Sequence, residues 1–150
     1  MSKPDAKTLN EGAVKGGDGN FIFRLMDMDG IKTGERYSSA VGPVVDGQRT
    51  MVGLMRKEKG TGARPHTHPN EQWNYVVQGR MRVTVDGQES IVGPGTLLYF
   101  PPNVVHSTVA LPEEDAYFFV AKDMTHGIQG TAVDDSVDGA HVEPGAASNS

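Results

Sequence analysis

The sequence predicts an all-β domain, a sandwich or small antiparallel barrel, on three observations. Short runs rich in β-branched and aromatic residues recur along the chain and stop at turn dipeptides. No window sustains a helical apolar period over ten residues. Glycine, at 19 of 150 residues, well exceeds its usual share of about 7%, and 9 prolines add to the turn-forming set.

The runs fall in order. Phe21–Met26 opens the series, and Val44–Val45 leads through Asp46-Gly47 into Thr50–Arg56. Trp73–Val77 ends at Gly79, and Arg80–Val85 is followed by Asp86-Gly87. Ser90–Val92, Thr96–Phe100, Val104–Ala110 and Tyr117–Lys122 complete the set. Asp-Gly suits the left-handed positions of a two-residue hairpin turn, so both dipeptides are expected at hairpin tips.

A length of 150 residues implies one domain. Residues 20–128 are the expected packed unit. Residues 1–19 are expected to be a flexible arm, or one that orders against a partner subunit. Residues 129–150 are small, polar and acidic, and bury too little surface to offset the entropy of ordering. A disordered C-terminal tail is the expectation there.

Composition excludes several functions. Without cysteine there is no disulfide, thiolate metal ligand or cysteine nucleophile. A net charge of −5 argues against a nucleic-acid surface. No stretch approaches the roughly 20 apolar residues of a membrane span. Residues 1–20 do not read as a secretory signal, so a cytoplasmic location is expected. No Gly-x-Ser-x-Gly elbow and no glycine-rich phosphate loop is present.

The chemistry lies in the histidines. In a strand, residues i and i+2 share a face, so His66 and His68 present two imidazoles side by side. The same parity continues to Gln72 and Asn74 if the Pro69-Asn70 turn keeps the face. His106 lies in another strand run, beyond Gly93-Pro94-Gly95 and Pro101-Pro102. Three imidazoles and an amide oxygen suit one borderline divalent cation. His141, in the expected tail, and His126, in a loop after the last strand run, lack such support.

The segment Gly60-TGARP-His66-T-His68-PNE-Gln72-WNYVVQ-Gly79 resembles the first cupin motif, with Gln72 at the glutamate position. The segment Gly95-TLLYF-Pro101-P-Asn103-VV-His106 resembles the second, with Asn103 where that motif has glycine and Ala110 where it has asparagine. Asparagine tolerates the left-handed conformation, so Asn103 is a mild departure. The resemblance implies a double-stranded β-helix of jelly-roll type. It also implies one divalent transition metal ion (Fe, Mn, Ni or Zn) held by His66, His68, Gln72 and His106, and commonly a homodimer.

Glu71 rivals Gln72 as fourth ligand but has the opposite strand parity. With Gln72, four neutral donors leave the charge of the cation uncompensated, which favours an anionic ligand and Lewis-acid polarisation. Arg64, two residues before His66, is either a clamp for a carboxylate or a solvated arginine beside a proline. Glu71 and Tyr99 are the acid–base candidates near the motif. Tyr99, Tyr117 and Phe119 are candidates for the pocket wall, and Trp73, Tyr75 and Val77 alternate with the ligand face.

The expected function is a metal-dependent enzyme acting on a small organic acid or aromatic compound, with dioxygenase-type chemistry placed first. The alternatives are a non-redox sugar-acid isomerase or lyase and a small-molecule-binding module without turnover.

Overall fold

The computed structural model describes residues 8–144. Fifteen strands are present: β1 (Val14–Lys15), β2 (Ile31–Lys32), β3 (Val41–Gly42), β4 (Val44–Asp46), β5 (Thr50–Lys57), β6 (Thr61–Gly62), β7 (His66–Thr67), β8 (Gln72–Gln78), β9 (Met81–Val85), β10 (Gln88–Val92), β11 (Leu97–Phe100), β12 (His106–Ala110), β13 (Ala116–Asp123), β14 (Thr131–Ala132) and β15 (His141–Val142). One sheet runs β1-β4-β5-β13-β8-β11, with β2 and β3 joined at β5. The other runs β10-β9-β12-β6-β15, with β7 and β14 joined at β12. Apart from the parallel β1–β4 pair, the strands pair antiparallel. This is the expected all-β jelly roll, with two facing sheets.

Period-two alternation sets which side chains enter the core. Along β13, Ala116, Phe118, Val120 and Lys122 point inward while the residues between them stay partly exposed. Met51 and Met55 of β5 and Val76 of β8 meet Met81 and Val83 of β9 and Ala110 of β12 in one cluster. Both sheets therefore contribute to a single core, and the inward positions at its edge are left for the site.

The two Asp-Gly dipeptides diverge. Asp86 and Gly87 have φ of 50° and 79°, the two-residue turn expected between β9 and β10, with Val85 opposite Gln88. The Asp46 side chain is fully buried, accepting from the Asn10 backbone N–H (2.9 Å) and Asn10 Nδ2 (2.7 Å). With Asp46 opposite Met51, the turn spans residues 47–50 and closes through the Gly47 N–H to the Thr50 carbonyl. Gly79 follows the expected pattern: at φ 80°, a Cβ there would lie 2.3 Å from the Asp115 carbonyl oxygen.

Three expectations are corrected. Phe21–Met26 is not a strand; Phe21 and Ile22 are 76% and 85% exposed, and Leu25–Asp27 forms a 3-10 turn. Strand propensity without a partner to pair with does not make a strand. The described part of the N-terminal arm packs on its own chain, where β1 pairs with β4 and buried Asn10 joins Asp46 to the Ile128 N–H. From residue 129 to 144 the segment expected to be a disordered tail is folded, with β14 on β7 and β15 on β6. Composition misreads that segment because backbone hydrogen bonds hold it, which small polar residues make as well as any others. Residues 1–7 and 145–150 of the two expected loose ends lie outside the described residues.

Candidate metal centre

His66 on β7 and His106 on β12 are paired across the strands, and His68 follows directly after β7. The three side chains are buried, and their ligand atoms lie within 4.8 Å of one another. Each Nδ1 is committed to a backbone carbonyl: His66 to Arg64 (2.7 Å), His68 to Asn70 (3.1 Å) and His106 to Val104 (3.0 Å). A carbonyl can only accept, so each Nδ1 carries the proton and each Nε2 holds a lone pair. The Nε2 atoms of His68 and His106 are buried with no hydrogen-bond partner among the described residues. Inward-facing orphan lone pairs on oriented imidazoles are what a metal ion requires, so the residues fit the ion that the sequence implies.

Burial, first of all, holds the three rings neutral. It pushes His68 down to about 4, with Lys122 nearby acting in the same direction. It pushes His106 to about 3 against the pull of its Val104 hydrogen bond, and lowers His66 well below the usual imidazole range, assisted by His106. Neutral imidazole is the ligating form. Tyr37 stacks on His66 at 4.3 Å between ring centroids, and Phe100 lies 4.6 Å from His106. Asn70, fully buried, accepts from His68 and donates to the carbonyls of Asp123 and His126, tying the ring to the loop after β13.

Gln72, at the start of β8 in the other sheet, lines the same cavity as His66 and His106. Its Nε2 donates to Asn74 Oδ1 at 2.7 Å, which leaves Oε1 as the free acceptor. Asn74 also lines the cavity, as parity predicted, and so does Thr108, two residues after His106. Asn103 adopts φ 65°, and its N–H donates to the His68 carbonyl at 2.8 Å, so the left-handed turn of the second motif braces the first.

The structure does not bring the proposed catalytic side chains to this cavity. Glu71 faces the opposite side of the sheet, accepting from the Tyr99 hydroxyl at 2.6 Å. Tyr99 is 39% exposed and packs on Trp73. Tyr117 and Phe119 share that outward parity; the inward wall is Phe100, Phe118 and Val120. The parity argument that removed Glu71 from the ligand face applies equally to these aromatics. Arg64 does not line this cavity and is half-buried elsewhere. Its guanidinium donates to the carbonyls of Gly139, Asp134, Arg36 and Val137 at 2.7–2.9 Å, fastening the C-terminal segment. His126 is exposed, and His141 on β15 lies beside Glu143, away from the cluster.

Two functional candidates escaped the sequence reading: Lys57 and Lys122 are buried in the cavity wall. Burial lowers each to about 7, with Asp123 opposing it at Lys122. The signal was available. Lys57 continues the inward series of Met51 and Met55, and Lys122 that of Phe118 and Val120.

Two facing sheets with a three-histidine cluster between them define a jelly roll with a candidate metal centre. Residues 53–122 match the family model described as a cupin domain. Those residues thus carry a cupin domain, consistent with a small protein of the cupin superfamily. A stretch of 74 residues is 39% identical to oxalate decarboxylase of Bacillus subtilis (strain 168), covering 46% of this chain but 19% of that protein. Among solved structures, KdgF from a Halomonas species aligns with TM-score 0.60 at 24% identity, over 70% of this chain and 93% of that one. The polyketide cyclase RemF from Streptomyces resistomycificus aligns with TM-score 0.64 at 20% identity, over 75% and 84%. These two likenesses show the fold. No helix among the described residues is long and apolar enough to cross a membrane.

Proposed function

We propose that the chain is a metal-dependent enzyme acting on a small organic acid, with His66, His68, His106 and Gln72 as the metal ligands. One observation carries this reading: three tautomer-locked imidazoles cluster within 4.8 Å, and two of them, His66 and His106, share with Gln72 a cavity lined by no aspartate or glutamate. A divalent ion held there supplies a Lewis acid that polarises a substrate oxygen. The donor set suits zinc, nickel or iron.

The remaining pocket groups bear on the reaction. Lys57 and Lys122, each lowered by burial to about 7, are suited to hold or release a proton at Nζ near neutral pH. Proton transfer is what a non-redox isomerase or lyase needs, and the two lysines support that chemistry over the dioxygenase reading. Dioxygenase chemistry is retained as the second reading because a three-imidazole face with open positions also accommodates iron. Incubating metal-loaded protein with a panel of small organic acids, with product followed by NMR and oxygen by electrode, separates them. Conversion without oxygen uptake is the expected result; stoichiometric oxygen uptake supports the second reading. Binding of acids with no conversion on any of the metals points to a binding module instead.

A homodimer is carried forward with this reading. Trp73, Tyr75, Val77, Leu97 and Tyr99 form an exposed apolar face on β8 and β11, suited to a second copy. Light scattering on the full chain at working concentration tests it, a monomeric mass being the contrary result.

A further inference from the structure

We infer that Lys57 and Lys122 form a two-point anion cradle inside this cavity, and that its ligand is a short dicarboxylate, one carboxylate to each ammonium. The inference deepens the reading of the pocket as a metal-dependent site for an organic acid. Both side chains are almost fully buried, at 3% and 6% exposed. Neither forms a salt bridge among the described residues, and no aspartate or glutamate lines the cavity they share. Asp123, next in the chain to Lys122, is turned outward to Thr125 and the Glu71 N–H.

A buried cation without a counter-charge is costly, and proteins keep one where a partner arrives from outside. The hydrogen bonds point the same way. Each ammonium has three donors. Lys57 spends two, on the Thr108 carbonyl (2.8 Å) and hydroxyl (2.5 Å). Lys122 spends one, on the Ile128 carbonyl (3.0 Å). The remaining N–H groups are left for a ligand.

Their placement makes the cradle two-pointed. Lys57 is anchored on β12 beside Thr108, two residues beyond His106, whereas Lys122 stands opposite Gln72 across the β13–β8 pair. Lys57 on β5 and Lys122 on β13 belong to neighbouring strands of one sheet but stand at opposite ends of that pair, Lys57 opposite Ala116 and Lys122 opposite Met51, so the two cations enter the cavity from its two ends. The cavity is small, about 50 Å³, where one water takes about 10–15 Å³. That room limits the acid to a short one.

Calorimetry on the full chain, metal-free and zinc-loaded, tests this with malonate, acetate and sulfate as probes. Malonate is expected to bind both forms at least about tenfold more tightly than acetate or sulfate, and Lys57→Met and Lys122→Met are each expected to weaken it about tenfold. Acetate or sulfate binding as tightly as malonate overturns the two-point cradle. So does unchanged malonate affinity in both variants. If a variant does not fold, the wild-type chain decides alone: malonate must raise its melting temperature more than acetate at equal ionic strength. Equal shifts overturn the inference. Metal content measured without any acid reports separately on the metal reading. A chain that binds malonate through its lysines yet holds no metal keeps the cradle and overturns that reading.

Discussion

His66 and His106 stand opposite each other across β7 and β12, ring centroids 4.2 Å apart, each with Nδ1 bonded to the carbonyl two residues earlier. Each strand therefore orients its own histidine through its own backbone, and the pairing register brings the two together. His68 uses the carbonyl two residues later, that of Asn70, because it lies where the chain leaves β7. Preorganisation of this kind removes most of the ordering that a metal site otherwise requires.

The fourth ligand is predicted to separate Gln72 from its neighbour. Gln72→Ala is expected to weaken metal binding by about tenfold, or about 1.4 kcal/mol. Glu71→Ala, on the outer face, is expected to leave it unchanged. Competition against a chromophoric chelator reads both. The reverse order would place the carboxylate at the metal.

Acid is predicted to unfold the metal-free chain through its histidines. His68 and His106 fall from about 6.5 when unfolded to about 4 and about 3 when folded. A depressed folded value means stability that is complete above pH 6.5 and lost as pH falls through 4 to 3. Melting temperatures between pH 7 and pH 3 check this. A His68→Gln, His106→Gln variant is expected to show a shallower decline.

Lys57→Met is predicted to stabilise the ligand-free chain. The lysine drops from 10.5 to about 7 on folding, so its contribution is most favourable above pH 10.5 and is lost as pH falls through 7. At pH 7 the substitution removes that cost, and a gain on the order of 1–4 kcal/mol is expected. Urea unfolding at pH 7 and at pH 10 reads it, with the larger gain at pH 7. Equal gains at both pH values would assign the effect to packing.

Arg64→Ala is predicted to release the C-terminal segment without touching the metal. It removes four donated hydrogen bonds, three of them to carbonyls between residues 134 and 139. A loss of about 1–3 kcal/mol is expected. Limited proteolysis should cut residues 129–144 faster than in the wild-type chain, at unchanged metal content.

How far the sequence was legible depends on how local each signal is. The strands β5, β8, β9 and β11 to β13 were readable from alternation, and the Asp86-Gly87 tip from its turn chemistry. The histidine cluster was readable because His66, His68 and Gln72 share one parity and His106 opens its own strand. Where signals are non-local, reading failed. Arg64 takes its role from carbonyls about 70 residues away, and β15 is defined by its pairing with β6. Lys57 and Lys122 are hidden for a different reason: inward parity on a core strand is a strong signal for apolar residues and a weak one for charged ones.

The central claim is that one divalent ion is held between the two sheets by the histidines. Titrating zinc into the metal-free full chain by calorimetry tests it most directly. The account predicts one equivalent bound per chain, abolished in a His66→Ala, His106→Ala variant that remains folded by circular dichroism. A variant that still takes up one equivalent, or a wild-type chain that takes up none, would contradict it.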